Sequence, residues 1–287
     1  MLSNIYKQAY GTIETLSPLH VGATAGEEAG NLNLVFRDQF TQTGVIPGSS
    51  IRGRFRADMR QVYGEAEAKY WYGDGAGSEQ HNLNNESIVK FEHASVVWIP
   101  VFCPGQPIVW VSCSYLLKRY NRITGKKLAI PDRYTGSSNL RTRESQGRKT
   151  LFFNLGFLTV NKQQDLKEFF PDGNQQPSVI VDDADMAMIH DMALYRQSRV
   201  RLKATEKVVD GGGFFNTEAL PEGTILIFPI AIKQYQGADE AVKPIEKKWE
   251  PFGKSQNDKP TPTEAEMYLG GLESIGFGHC VINLKNI

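Results

Sequence analysis

The chain has 287 residues, of which 40% are hydrophobic and 22% charged, and its 32 basic residues balance 32 acidic ones. This composition is ordinary for a soluble globular protein, and no apolar run approaches the roughly 18 residues that a membrane span requires. Because the first residues also show no apolar signal-peptide segment, we expect a cytoplasmic protein. The zero net charge argues against a polyanion binder that uses its whole surface, although residues 118–149 hold ten Lys or Arg residues against two acids.

Cysteine and histidine spacing does not indicate a metal site. Cys103, Cys113 and Cys280 form no CxxC pair, which predicts buried free thiols rather than a disulfide framework. The five histidines show no HExxH pattern and no closely paired spacing. We therefore expect no zinc held by the protein and no tightly bound cofactor.

The first predicted element is a strand in YGTIETLSPLHVG (10–22), where polar and apolar residues alternate before Pro and Gly. A long loop rich in small residues, ATAGEEAGNLN (23–33), follows this strand.

The stretch GVIPGSSIRGRFR (44–56) predicts the start of a helix, with Ser49 or Ser50 as the N-cap. A helix N-terminus presents unpaired N–H groups, glycine allows close approach, and arginines bind phosphate strongly. Because the stretch lacks the GxxxxGK[ST] spacing, a phosphate-binding site and a capped basic surface helix both remain open. The residues expected on the buried face are Ile51, Phe55, Met59 and Val62, with Arg52, Arg54, Arg56 and Arg60 off that face.

The central part of the chain alternates loops and strands. Residues 71–87 are rich in Gly, Asn and Ser and predict an exposed loop. VKFEHASVVWIPVF and PIVWVSCSYLLKRY predict a hairpin whose second strand runs into a helix. Residues 121–149 mix small and basic residues without a sustained period, which predicts a mobile insertion. This insertion is either a solvated loop or a contact to an RNA backbone.

A protruding hairpin is predicted at about 199–224. Before it, LFFNLGFLTV predicts a strand and SVIVDDADMAMIHDMALYRQSR a strand followed by a helix. The DGGG sequence at 210–213 divides the hairpin into two extended halves, and the apolar strand TILIFPIAI follows. Apolar residues near the tip need a partner, either bases or a neighbouring subunit. These residues are Val208, Val209, Phe214 and Phe215, next to Lys207.

The C-terminal segment EAEMYLGGLESIGFGHCVINLKNI (264–287) predicts a short helix, a glycine-rich loop and a terminal strand. Its glycines do not open a helix after a strand as a Rossmann loop does, so the loop is either a packed turn or a backbone-lined groove for RNA. Two strand–helix–strand halves in this order predict an α+β fold with a ferredoxin-like sheet. We expect one domain over 1–287 with insertions at 71–87 and 121–149.

Five motifs, in this order, resemble the RAMP superfamily of CRISPR proteins, and most closely the repeated backbone subunit of type III-B effector complexes. They are TLSPLHVG, VIPGSSIRG, VKFEHASVVWIPV, RVRLKATEKVVDGGGFFNTEALPEGTILIFPI and YLGGLESIGFG. The resemblance implies an RRM-derived, ferredoxin-like palm with a β-hairpin thumb, stacked as a filament along a guide RNA. The implied partners are guide RNA, target RNA, other type III effector subunits and copies of the chain itself, in an antiviral ribonucleoprotein.

The resemblance also implies which residues contact RNA. The GSSIRG-type helix and the terminal glycine loop would hold guide phosphates, and the thumb (205–217) would displace a base at regular intervals along the guide–target duplex. The implied RNA-binding residues are His20, Gly22, Gly48, Ser49, Ser50, Arg52, Arg54, Arg56, Gly276 and Gly278, and the thumb residues are Lys207, Val208, Val209, Phe214 and Phe215.

At the expected cleavage site the chain departs from the family pattern. Backbone subunits of this family usually cut target RNA with a loop aspartate and a divalent metal, but the counterpart here is Leu32 or, with one residue of slippage, Asn33. Neither side chain can act as a general base or bind a metal as a carboxylate does. The resemblance therefore implies either a nuclease-inactive backbone subunit or an endoribonuclease that uses Mg or Mn through another residue. The catalytic candidates are Asn33, Glu27, Glu28 and Asp38.

An enzyme that processes precursor RNA on its own remains a further alternative. Such an enzyme would need a general base, for which His20 and His81 are the candidates, and nothing in the sequence places two histidines together.

Overall fold

The computed structural model describes residues 5–22, 32–73, 86–145, 147–202, 209–236, 243–254 and 260–287. In chain order the elements are β1 (Tyr6–Thr15), β2 (Leu32–Asn33), β3 (Val45–Ile46), α1 (Gly48–Tyr63), α2 (Glu65–Tyr72), β4 (Val89–Phe91), β5 (Ala94–Cys103), β6 (Gln106–Cys113), α3 (Ser114–Thr124), β7 (Thr135–Ser137), β8 (Arg143–Ser145), β9 (Arg148–Phe153), β10 (Gly156–Thr159), β11 (Lys162–Gln164), β12 (Ser178–Val181), α4 (Asp183–Ala193), β13 (Tyr195–Leu202), β14 (Val209–Ala219), β15 (Ile225–Lys233), β16 (Tyr235–Gln236), β17 (Lys243–Pro244), β18 (Glu264–Tyr268) and β19 (His279–Lys285), with 3-10 turns at Lys167–Phe169 and Glu273–Ile275.

The main sheet has the strand order β11, β7, β12, β6, β5, β15, β1, β19, β18, with β3 paired to β5 and β4 paired to β15. Strand β1 lies antiparallel between β15 and β19, and β15 lies antiparallel to β5. Helix α1 stands in the connection from β1 to β5, which makes this part a strand–helix–strand half of a ferredoxin-like arrangement. The predicted α+β class with a ferredoxin-like palm is confirmed.

Both faces of the main sheet are covered. Successive side chains of a strand point to opposite faces, and successive residues of β15 divide between two buried clusters. Leu226 and Phe228 belong to the larger cluster, whereas Ile225 and Ile227 belong to the smaller one. In the smaller cluster Trp98 stacks on Phe170 with ring centroids 4.6 Å apart. The sheet is therefore the middle layer that holds the surface loops in place.

Helix α1 confirms the predicted buried stripe except at its last position. Val62 is 67% exposed, because the stripe continues four residues after Met59 at Tyr63, which packs against the larger cluster. The buried residues of the helix are Ile51, Phe55 and Met59.

Two predictions in the C-terminal half of the chain were wrong. Residues 264–268 form strand β18 and not a short helix, since they pair antiparallel with β19 and alternate between exposed and inward positions. Residues 210–213 (DGGG) lie inside β14 and do not divide the hairpin. The connection between β13 and β14, residues 203–208, lies outside the described residues.

The two predicted insertions differ from simple loops. Residues 71 and 72 end α2 with buried side chains, and residues 74–85 lie outside the described part. The segment 121–149 completes α3, adds β7 to the main sheet beside β12, and continues into β8 and β9. LFFNLGFLTV contributes to a hairpin of β9 and β10 and not to a single strand. The domain boundaries themselves stay predictions.

The three cysteines are buried and free, as predicted. Among the residues in the described ranges, no helix has the length and apolar character needed to cross a membrane.

Candidate nucleic-acid interface

The start of α1 depends on Pro47 and Gly48. Pro47 is the N-cap and no side chain caps the helix, so the prediction that Ser49 or Ser50 is the N-cap was wrong. Proline fixes the backbone angle at this position without a side-chain hydrogen bond. A Cβ at Gly48 would lie 2.3 Å from the carbonyl oxygen of Phe91, so only glycine lets the helix begin this close to β4.

The three arginines of α1 that were predicted to contact phosphate all have partners inside the protein. Arg52 donates from Nε to the Tyr72 carbonyl at 2.9 Å, and burial, followed by the nearby Arg56, lowers the pKa of Arg52. Arg56 lies 3.3 Å from a carboxylate oxygen of Glu65. These contacts tie α1 to α2.

Arg54 connects α1 to the terminal glycine loop. Its guanidinium lies 2.9 Å from an Asp58 carboxylate oxygen and 3.7 Å from one of Glu273. The three side chains are 29–43% exposed, and ion pairs that water reaches contribute little to stability, about 0–1 kcal/mol. An RNA phosphate could therefore replace either carboxylate at small cost.

The terminal glycine loop packs against the HVG segment. The N–H of Gly271 donates to the His20 carbonyl at 3.0 Å, and the N–H of Gly278 donates to the Pro18 carbonyl at 2.9 Å. Gly278 is buried at φ 84°, and a Cβ there would lie 2.2 Å from the Leu269 carbonyl oxygen. Gly276, at φ 92°, is exposed and faces open space. Gly278 thus shapes the loop from within, whereas Gly276 lies at the surface.

His20 has a defined tautomer. Its Nδ1 lies 2.7 Å from the Glu218 carbonyl oxygen, which can only accept, so Nδ1 carries the proton. The other ring nitrogen, Nε2, is directed toward exposed Gly22, where a Cβ would lie 3.3 Å from it. The imidazole is consequently held with Nε2 toward Gly22. His81 lies outside the described residues.

Only two of the four catalytic candidates are described. Burial alone would raise the pKa of Asp38, but hydrogen bonds from Thr41 and Phe40 outweigh burial and the pKa lies below its ordinary value. The Asp38 carboxylate closes its own turn and is a poor general base. Asn33 is half-buried in β2, which pairs in parallel with the hairpin strand β14. Glu27 and Glu28 lie outside the described residues.

Four charged side chains form a group at the base of the hairpin that the sequence analysis did not predict. The Glu218 carboxylate, which is buried, lies 3.0 Å from both Arg37 and Arg196. Asp191 lies 3.0 Å from Arg37 and 2.9 Å from Arg196. Arg37 thus joins β14 and the end of α4 to the palm across more than a hundred residues of sequence, and Arg196 completes the group from β13.

A buried neutral histidine lies beside this charged group. Burial, followed by Arg37, lowers the pKa of His190 to about 3. Its Nε2 accepts a hydrogen bond from the Gly44 N–H at 2.9 Å, so the ring connects α4 with the segment leading to α1.

The hairpin backbone is described on both sides of its connection. Tyr195 pairs with Ala219 at the base, and the Tyr195 ring meets the Phe277 ring edge-on at 6.0 Å. This contact joins the hairpin to the terminal glycine loop. Lys207, Val208 and the side chains of Val209, Phe214 and Phe215 lie outside the described part of the structure.

An open cleft of about 880 Å³ lies beside the first turn of α1. Pro47 and Gly48 form one wall, and Asp38 and His93 contribute to the others. Burial, followed by Arg119, lowers the pKa of His93, so this ring is neutral at neutral pH. The helix N-terminus therefore has free space in front of it, as a phosphate ligand would require.

A family model described as the RAMP superfamily matches residues 12–281. No curated protein matches the chain.

Several solved structures share the fold. A type III-B Cmr-beta complex bound to cognate target RNA contains a chain with 17% identity and a TM-score of 0.66, with 98% of each chain covered. Oligomeric Cmr4 from Pyrococcus furiosus matches with 15% identity and a TM-score of 0.61, covering 97% of this chain and 98% of the other. A further Cmr4 crystal structure matches with 15% identity and a TM-score of 0.63, covering 98% and 100%.

Proposed function

The chain belongs to the RAMP superfamily, whose model spans nearly its whole length, and from this premise we propose that it is a guide-RNA-binding backbone subunit of a cytoplasmic type III CRISPR antiviral ribonucleoprotein. One protein of similar fold belongs to a complex bound to cognate target RNA, and another is oligomeric. These relatives support guide RNA, target RNA, other effector subunits and further copies of this chain as partners.

One observation carries the proposal: the two motif loops predicted to hold guide phosphates lie side by side. Arg54 on α1 reaches Glu273 in the terminal loop, and Tyr195 at the hairpin base contacts Phe277 in the same loop. A helix N-terminus, an exposed glycine and an exchangeable arginine are groups that bind a nucleic-acid backbone without reading its sequence. A continuous surface from α1 to the hairpin would follow one strand of RNA.

Arginine substitutions test this surface. In the complex purified with its guide RNA, Arg54→Ala should reduce RNA retention roughly tenfold or more, because a charge-assisted hydrogen bond contributes about 1.5–3 kcal/mol. The slope of the logarithm of the binding constant against the logarithm of the salt concentration should become shallower by about one for each lost phosphate contact. The matched control is Arg133→Ala, an exposed arginine paired with Asp182 on another part of the surface. Guide retention equal to that of the control at moderate salt would refute the proposal.

We further propose that the subunit organises the guide–target duplex without cutting it. Two observations support this: the position expected of the catalytic carboxylate holds Leu32 or, with one residue of slippage, Asn33, and Asp38 is engaged in its own turn. An amide can orient RNA or water but cannot take a proton. Mg or Mn would be needed only if another residue performed cleavage.

The cleavage alternatives are separated by one assay. The complex is mixed with complementary target RNA and magnesium, and the products are sized. We expect intact target; evenly spaced cuts that disappear with Glu27→Ala or Glu28→Ala would identify a metal-dependent endoribonuclease instead. RNA-free monomers that process precursor RNA unaided would favour a stand-alone enzyme, for which His20 is the base to test.

A further inference from the structure

A separate three-stranded sheet, formed by β8, β9 and β10, carries a surface that the proposed function does not use. Directly opposed residues of antiparallel strands have side chains on the same face. The pairs Phe157 with Phe152 and Arg143 with Thr150 therefore place four side chains on one face. The opposite face carries Leu151, Phe153 and Leu158, which pack into the larger core cluster. The first face, the outer face, is exposed to solvent.

The outer face combines aromatic rings with cations. Phe157 is 74% exposed, and its ring meets the Phe152 ring edge-on at 4.7 Å. The guanidinium of Arg143 lies 5.1 Å from the centre of the Phe152 ring. By register, Arg148 lies on this face opposite Ser145, and the face includes no carboxylate. Within the described ranges, neither Arg143 nor Arg148 has an ion-pair partner, so the face is positively charged.

Three other basic residues of the segment 118–149 are engaged within the protein. Lys126 donates to the Glu168 carbonyl, Arg133 pairs with Asp182, and Lys149 donates to Gln163. The uncompensated charge of this segment therefore includes the outer face, where it lies beside exposed rings.

The outer face is distant from α1. Strand β3, which precedes α1, pairs with Ala94 and Ser95 at the start of β5. Arg143 lies beside Gly105, just beyond the end of β5. A strand rises about 3.3 Å per residue, so the ten residues of β5 separate the two regions by roughly 30 Å. A ligand on the outer face would be additional to the guide phosphates at α1.

We propose that the outer face of β8, β9 and β10 is a second nucleic-acid site, which binds unpaired bases of a single strand by stacking on Phe157. Every base has a flat aromatic face, so exposed rings beside cations bind single strands with little sequence preference. Sheet-surface aromatics serve the same purpose in RNA-binding modules. Arg143 and Arg148 would contact the phosphates on either side of the stacked base. Duplexes, whose bases are already stacked, would bind weakly here.

Fluorescence anisotropy with the full chain and labelled single strands of about 15 nucleotides tests the site. Phe157→Ala should weaken binding roughly tenfold, because stacking on one ring contributes about 1–3 kcal/mol, and Phe157→Trp should restore it. Arg143→Ala should reduce both affinity and its salt dependence. Tyr115→Ala, which removes a 51% exposed ring on α3, is the matched control and should change nothing.

Equal losses for RNA and DNA would support a general single-strand site, and a loss for RNA alone would support an RNA-specific one. Single-strand affinity that is unchanged in Phe157→Ala and Arg143→Ala would overturn the proposal. The same holds if Phe157→Ala changes only the oligomeric state in sedimentation, because the face would then be a protein interface. Guide retention in Arg54→Ala tests the proposed contact at α1, and single-strand binding in Phe157→Ala tests the outer face. A negative result in one assay therefore leaves the other proposal standing.

Discussion

Two glycines of α1, five residues apart, should respond oppositely to the same substitution. A Cβ at Gly48 would lie 2.3 Å from the Phe91 carbonyl oxygen, about 1.1 Å closer than the 3.4 Å at which ordinary contact begins. Because the obstacle is backbone, the first turn of α1 or strand β4 must move by a comparable amount. Gly53, in contrast, has no atom within 4 Å of the position of an added Cβ.

The expected free energies follow from these distances. Overpacking of this kind costs about 1–3 kcal/mol, so Gly48→Ala should lower the free energy of unfolding by that amount. Alanine is preferred over glycine inside a helix by about 1 kcal/mol, so Gly53→Ala should raise it by up to that much. The two variants should therefore differ by roughly 1–4 kcal/mol although they change the same atoms in the same helix.

Urea unfolding of RNA-free protein, followed by tryptophan fluorescence and circular dichroism, measures the difference. RNA must be removed because a bound ligand adds its own stabilisation. Gly48→Ala should also weaken guide retention, because it displaces the helix N-terminus. A Gly48→Ala protein as stable as wild type, or no more affected than Gly53→Ala, would refute the argument from close approach.

Three further substitutions concern buried polar groups. The pKa of His190 is about 3 when folded and roughly 6.5 when unfolded. The contribution of the neutral ring to the free energy of unfolding is therefore fully present above pH 6.5, and it is lost as the pH falls toward 3 because the unfolded chain binds the proton first. At pH 5 the loss should be about 2 kcal/mol in urea titrations, and His190→Gln should flatten this slope; parallel curves would contradict the assignment. Glu218→Gln removes the charge between two arginines and should cost about 1–3 kcal/mol in thermal unfolding, whereas the exposed control Glu266→Gln should cost almost nothing. Tyr72→Phe leaves the buried Trp249 N–H, which donates to the tyrosine oxygen at 2.9 Å, without an acceptor, and should cost about 1–3 kcal/mol; an unchanged urea midpoint would count against this bond.

The elements with a clear period were predictable from sequence. The apolar spacing of α1 and the hairpin of β5 and β6 running into α3 were found where predicted, because each depends on local periodicity. β18 was misassigned although EAEMY alternates polar and apolar residues, since five residues fit a short helix equally well. The helix start was predicted to depend on a serine cap, but Pro47 and a close approach at Gly48 determine it.

The candidate site was predictable only in its parts. The glycines and arginines of the VIPGSSIRG and YLGGLESIGFG motifs were recognised from composition and order, but their neighbours were not. Gly278 proved to be packed inside its loop, Arg54 to be shared between two carboxylates, and Asp38 to be closed in a turn. The Arg54–Asp58 pair at i,i+4 and the Asp38–Thr41 turn are local and could have been read from their spacing, whereas the Arg54–Glu273 contact and the packing of Gly278 leave no sequence signal.

The sequence alone determined the class of fold, the positions of Gly and Pro, the family motifs and the replacement of the expected aspartate by Leu32 or Asn33. The tertiary structure decided that Arg54 meets the terminal loop, that Glu218 joins Arg37 to Arg196, and that two phenylalanines share the outer face with Arg143. The physical reason is that periodicity and propensity act over a few residues. Contacts between residues about two hundred positions apart depend instead on strand order and register, where a shift of one residue turns every side chain to the opposite face.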